Sequence, residues 1–199
     1  MCGIVGLFIK DKALEPRLGE LLTEMLITMS DRGPDSAGIA VYRSDRPSHA
    51  KLTVQSDNPK LFKGLEKALE QKLDVDVTVS VIDTHAVIDL AEEKLADARS
   101  VIKKDYPALR IMSAGEAIEI YKEVGLPGDV ARRFAIPHLR GSHGIGHTRM
   151  ATESAVTTLG AHPFSTGPDQ CLVHNGSLSN HNALRRKLKR EDVTVETEN

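Results

Sequence analysis

Cys2 offers the most chemistry in this sequence. Removal of Met1, normal where a small residue follows, leaves a thiol and a free α-amine on one residue. An α-amine has an unperturbed pKa of about 7.7–8.0, so near neutral pH much of it is available as a base. Thiols are the most nucleophilic common side chains, and an adjacent base activates them further. Any chain can begin Met-Cys, so this start also has a bland reading. Two later stretches add groups that could handle a substrate. Gly144-Ile145-Gly146-His147-Thr148-Arg149 combines glycines, which let backbone approach a ligand closely, with an arginine whose planar fork suits a carboxylate. Asn175-Gly176 follows a strand-like run, Cys171 to His174, and reads first as a hairpin turn. The same turn exposes an amide side chain and a backbone N–H that could hold a developing oxyanion. His143 and His147 have the i, i+4 spacing of a metal pair. Glycines at 144 and 146 argue against the helix that would align them, so no metal site is expected.

These groups need elements to position them. Ile4 to Ile9 is continuously apolar, as in a strand buried on both faces, and such a strand would anchor Cys2. Leu18, Leu21, Leu22, Met25, Leu26 and Met29 form a helical stripe suited to packing on a sheet, ending by Gly33-Pro34. A polar loop, 31–38, leads into a strand at Ile39–Tyr42. Gly144–His147 and Leu172–His174 read as further strands of packed antiparallel sheets, and Cys2, Arg149 and Asn175 are expected to converge on one cleft. From about Arg43 to Gly141 the character changes. Asn58-Pro59 caps a helix carrying Leu61, Phe62, Leu65 and Leu69. Val75, Val77, Val79 and Val81 alternate with polar residues in a half-exposed strand that extends toward Ile88. Leu90–Lys104 reads as a helix and Ala108–Met112 as a short strand. Ser113 and Glu116 have capping-box spacing and open a helix that ends near Gly125. This stretch has its own α/β pattern and reads as an inserted subdomain over residues 45–140. Toward the end, Ser179 or Asn180 caps a basic helix, and Val193–Val195 reads as a final strand.

The chain has 199 residues, 40% of them hydrophobic and 27% charged, the make-up of an ordinary globular protein. Its 26 basic and 28 acidic side chains leave a net charge of −2, which gives no electrostatic pull toward nucleic acid or an anionic membrane. No apolar run approaches the ~18 residues of a membrane span, and the strand-like start lacks the basic region of a signal peptide. With two cysteines only, Cys171 reads as a small core residue rather than a disulfide partner, and a reducing cytoplasm fits.

Together the motifs resemble the class-II glutamine amidotransferase domain, an amino-terminal-nucleophile hydrolase. The matching stretches are Met1-Cys2-Gly3-Ile4-Val5-Gly6, Arg32-Gly33-Pro34-Asp35-Ser36-Ala37-Gly38, His147-Thr148-Arg149-Met150-Ala151-Thr152, Ala161-His162-Pro163 and His174-Asn175-Gly176. They bracket the chain and leave out its middle. The resemblance implies an α+β fold, a four-layer αββα sandwich of antiparallel sheets, with an inserted α/β lobe. It implies that Cys2 attacks the glutamine side-chain amide, its own α-amine shuttling the proton. Asn175 and Gly176 would form the oxyanion hole and Arg149 would pair with the substrate α-carboxylate. Thr152 and His162 would line the glutamine pocket, and Arg32 would steady the loop around the terminus. The domain would occupy residues 1–199, truncated at its C-terminal end, with the aspartate that holds the substrate α-amine expected beyond Asn199. Met150 stands where several relatives carry an aromatic residue. Among subfamilies, the amidotransferase subunit of glutamate-synthase-like complexes, including N-methylglutamate synthase, is the most similar. There ammonia passes to partner subunits carrying FMN and sometimes iron–sulfur clusters, this chain itself holding no cofactor. That implies a cytoplasmic hetero-oligomer. Asparagine-synthetase-like and phosphoribosyl-amidotransferase-like systems share parts of the pattern. A non-catalytic regulatory or assembly subunit that keeps the fold is the alternative of a different class.

Overall fold

A computed structural model describes residues 2–44, 46–151, 155–176 and 179–192. In chain order its elements are β1 (Gly3–Phe8), α1 (Leu18–Ile27), β2 (Ser36–Tyr42), β3 (His49–Gln55), α2 (Leu65–Leu73), β4 (Val77–Ile82) and β5 (His85–Ala91). There follow α3 (Leu95–Asp105), β6 (Arg110–Gly115), β7 (Ile118–Val124), α4 (Pro127–Arg133), β8 (His143–Arg149), β9 (Phe164–Gly167), β10 (Gln170–Leu172) and α5 (His181–Arg190). The fold is α+β, as expected, and all the strand pairings described are antiparallel. No helix among the described residues is long and apolar enough to cross a membrane.

The first sheet has the strand order β1-β8-β2-β7. One of its faces is the apolar bed for α1, whose Leu18, Leu22 and Leu26 are wholly buried against Val5, Ile39 and Val41. The sequence of β8 makes this seat possible. Gly144 lies opposite Val41 and Gly146 opposite Ile39, so both point toward the helix. A Cβ on Gly144 would stand 2.8 Å from the Leu22 Cδ2, and one on Gly146 would stand 2.9 Å from the Leu26 Cδ1. The residues between them, Ile145, His147 and Arg149, therefore share the opposite face of the sheet.

The second sheet, β4-β5-β3-β6, is built from residues 49–115. Leu52, Val54, Ile88 and Leu90 on one face bury Leu65 and Leu69 of α2 and Ala98 and Ile102 of α3. Its other face meets β7 through a polar seam. The wholly buried Glu119 carboxylate accepts hydrogen bonds from Arg43 Nε (2.7 Å), Lys51 Nζ (2.8 Å) and the Tyr121 hydroxyl (2.8 Å). A buried carboxylate requires that degree of satisfaction. The chain crosses between sheets at the turn joining β6 and β7. There the Asp169 carboxylate accepts the backbone N–H groups of Glu116, Ala117 and Ile118 at 2.8, 2.8 and 2.9 Å.

Several sequence expectations are corrected. β1 is not buried on both faces: it is an edge strand among the described residues, with Ile4 40% and Phe8 67% exposed. The run from Val75 to Ile88 is a hairpin, because Asp83 turns the chain in a left-handed conformation at φ 54°. Leu90 belongs to β5, so the helix assigned to Leu90–Lys104 begins only at Leu95. Ser113 and Glu116 open no helix, and the stretch read as helical to Gly125 holds β7. Asn58 does cap a turn, through Lys60 N, but that turn is 3-10 and Gly64 at φ 78° separates it from α2. β10 ends at Leu172, so Val173 and His174 lie past its ladder. Asn180 precedes α5 without a side-chain capping bond. The strand read at Val193–Val195 lies outside the described residues.

Candidate active site

β1 carries Cys2 to the end of the first sheet, where three segments distant in sequence meet. The Gly3 N–H donates to Thr148 Oγ1 at 3.2 Å, and that hydroxyl donates to the Met29 carbonyl at 3.3 Å. Thr148 thus ties the start of β1 to the segment just after α1. The Cys2 carbonyl accepts from the Asn175 side-chain Nδ2 at 3.0 Å and from Arg32 Nε at 3.5 Å. Cys2 is half-buried, its Sγ 4.0 Å from the Met150 carbonyl. Both cysteines are free thiols, and the Cys171 thiol, packed beside the Tyr42 hydroxyl at 3.4 Å, is pushed up in pKa mainly by burial.

The outward face of β8 supplies the next groups. His147 is wholly buried and its Nε2 lies 2.9 Å from the His174 carbonyl oxygen. A carbonyl only accepts, so the proton sits on Nε2 and Nδ1 carries the lone pair. The His147 ring stacks on His162 at a centroid distance of 4.3 Å, and His162 meets the Phe164 ring edge-on at 4.5 Å. Burial drives the pKa of His147 down to about 4. Burial, reinforced by neighbouring His147 and Lys122, drives His162 down to about 3. Both rings are therefore neutral at physiological pH. Arg149 is 3% exposed, and its Nη1 donates to the Ala155 carbonyl at 3.1 Å. Asp35 closes this end of the sheet. Its N–H donates to the Arg149 carbonyl at 3.0 Å and its Oδ2 accepts the Ala151 N–H at 2.7 Å.

Two features bring His162 to this face. A Cβ on Gly38 would lie 2.0 Å from the His162 carbonyl oxygen, so only glycine in β2 lets that loop settle. Lys122 of β7, 4% exposed, donates to the carbonyls of Leu159 (3.3 Å), Ala161 (2.8 Å) and Pro163 (3.2 Å), with its Nζ 4.3 Å from the centre of the Phe164 ring.

The structure thus gathers Cys2, Arg32, Arg149, His162 and Asn175 at one end of the first sheet. Gly176 follows Asn175 with φ 152°, and a Cβ there would lie 3.6 Å from the His174 Nε2. Thr152 lies outside the described residues. Sequence reasoning gave no role to His147, Asp35 or Lys122. Asp35 and His147 stood inside quoted motifs, and only their partners reveal what they do. Lys122 was hidden by the helix assigned to its segment, although it shares the two-residue alternation of Ile118 and Ile120.

An antiparallel sheet with helices on one face and a cysteine at the end of its first strand is the arrangement of amino-terminal-nucleophile hydrolases. No family model matches the sequence. The chain is 62% identical, over its whole length, to the glutamine amidotransferase-like protein GlxB of Rhizobium meliloti, of which it spans 66%. It is 30% identical over its whole length to a putative glutamine amidotransferase of Methanothermobacter thermautotrophicus, spanning 68% of that protein. Over 85 residues, 43% of this chain and 14% of the other, it is 35% identical to the glutamine–fructose-6-phosphate aminotransferase of Pseudomonas putida. The chain belongs to the class-II glutamine amidotransferase family. It spans about two thirds of the length of the first two relatives.

Proposed function

We propose that this chain hydrolyses the side-chain amide of glutamine, with Cys2 as nucleophile, and delivers ammonia to a partner synthase. The reading is carried by one observation: the Asn175 amide donates to the carbonyl of Cys2 itself. A primary amide has two N–H donors. One can hold the nucleophilic residue while the other, with the Gly176 N–H, faces the oxygen on which charge develops. Attack of the thiolate on the amide carbon forms a C–S bond and shifts the carbonyl electrons onto oxygen. The α-amine of Cys2, freed by loss of Met1, takes the thiol proton and returns it to the departing nitrogen. Ammonia leaves and a thioester remains. Water then adds to the thioester, the C–S bond breaks, the thiol regains its proton and glutamate is released. Arg149 pairs with the substrate α-carboxylate, Thr152 and His162 line the pocket, and Arg32 steadies the terminus through the Cys2 carbonyl. The acceptor system is of the glutamate-synthase type, such as N-methylglutamate synthase. Flavin and iron–sulfur clusters reside in partner subunits of a cytoplasmic hetero-oligomer.

Labelling tests this. A glutamine-analogue electrophile should modify Cys2 and spare Cys171, and intact mass should show Met1 absent from the active protein. Label on Cys171, or a quantitatively retained Met1 in an active complex, defeats the mechanism.

A further inference from the structure

We infer that His147 is a positioning residue that fixes the Asn175–Gly176 turn, and with it the oxyanion donors, relative to Cys2. The inference rests on the glutaminase reading above. β10 ends at Leu172, so the segment from Val173 to Gly176 runs past the last rung of its ladder. Side-chain bonds must then set where the turn sits. One is the bond from Asn175 Nδ2 to the Cys2 carbonyl. The other is the bond from His147 Nε2–H to the carbonyl of His174, the residue just before Asn175. The two bonds hold the turn from adjacent residues. One anchor is the nucleophile's own backbone, and the other is a strand paired on both sides, between β1 and β2.

The cost of His147 supports the same conclusion. Its Nδ1 is buried without a hydrogen-bond partner among the described residues, an arrangement that costs stability. An aliphatic side chain would fill the space beside His162 without that cost, but it would present no donor to His174. The stacked His162 ring fixes the imidazole plane, so Nε2–H points one way. The His174 carbonyl, which only accepts, keeps a proton on Nε2. Small displacements of oxyanion donors are expensive, because they act only when aimed at the oxygen as charge develops.

The test compares His147→Leu with His147→Gln in the full chain with its partners. Gln places an amide N–H near the position of Nε2. The leucine variant should lose about tenfold to a hundredfold in kcat for glutamine, with KM within about twofold. Alkylation of Cys2 by iodoacetamide develops no oxyanion, so its rate should be unchanged. The glutamine variant should recover most of the lost kcat. Hydrogen exchange of the Asn175 and Gly176 amides gives a readout that needs no turnover, and it should be faster in His147→Leu and near normal in His147→Gln. A parallel loss of kcat and alkylation, a loss confined to KM, or unchanged exchange in the leucine variant would each overturn the assignment. A wild-type complex that hydrolyses no glutamine would instead overturn the glutaminase reading, and the exchange experiment would still decide the role of His147.

Discussion

The two four-stranded sheets use their faces differently. The second sheet presses Leu52, Val54, Ile88 and Leu90 onto α2 and α3, while Thr53 and His85 on its strands each keep a buried polar atom unpaired among the described residues. The first sheet buries one apolar face under α1, but its other face carries His147, Arg149 and Lys122 at 0–4% exposure. Ser36, His147 and His162 there each hold a buried polar atom unpaired among the described residues, as Thr53 and His85 do on the second sheet. A core optimised for stability would not keep them, and chains tend to break such rules where they do chemistry. The comparison sets an apolar seat for two helices against a face that carries buried His147, Arg149 and Lys122.

The largest effect should come from Cys2→Ala. Glutamine hydrolysis should fall at least about a thousandfold, as when a nucleophile is removed, while the thermal midpoint stays near wild type. Ammonium-dependent synthesis by the assembled complex should survive. Activity measurements paired with a melting scan decide it, and a matching loss of stability would mean that Cys2 is structural. The mirror experiment is Leu69→Ala in the other region. Leu69 is wholly buried in α2, so about 2–5 kcal/mol of stability should be lost in denaturant titration, with glutamine turnover per folded molecule unchanged. A kinetic defect in the folded fraction would show the two regions to be coupled.

Arg149→Lys should sit between these extremes. Lysine keeps the charge but not the planar fork, and a charge-assisted bond is worth about 1.5–3 kcal/mol, so kcat/KM for glutamine should drop about tenfold to a few hundredfold. Ammonium-dependent turnover should be untouched. The smallest effect is a slope. Burial lowers His85 to about 3, with Lys122 and Arg133 contributing, and lowers His147 to about 4 and His162 to about 3. The unfolded chain takes up these protons near pH 6.5 while the folded chain resists. Stability should therefore fall as pH drops below about 6.5, by up to about 1.4 kcal/mol per pH unit for each histidine, until the folded values are reached. Thermal midpoints across pH 7 to 4.5 measure it, and His147→Gln should flatten the curve.

Much of the first sheet was legible because its strands carry their own signature. The stripe from Leu18 to Leu26 declared its face, whereas the alternate glycines in β8, read as a close approach for a ligand, in fact seat α1. What failed was local pattern with a distant cause. Ser113 and Glu116 satisfy a capping box, yet Asp169, 53 positions beyond Glu116, holds this turn between two strands. The hairpin at Asp83 was masked by valines that look the same on either side of a turn. Exposure of Ile4 and Phe8 depends on which strand stands at the edge, and an apolar run alone does not say. In the site, residue types pointed to Cys2, Arg149 and Asn175. His147 stayed hidden because its partner is a backbone carbonyl, which every residue possesses.

The grip of Asn175 on the Cys2 carbonyl spans 173 positions, and this sets an order of events during synthesis. At roughly 5–20 residues per second, about 10–35 s pass between the emergence of the first residues and that of their partner. Through that interval the start of the chain has no Asn175 to close over it. Any enzyme acting on the start of the chain in that interval meets it before Asn175 can close over the Cys2 carbonyl.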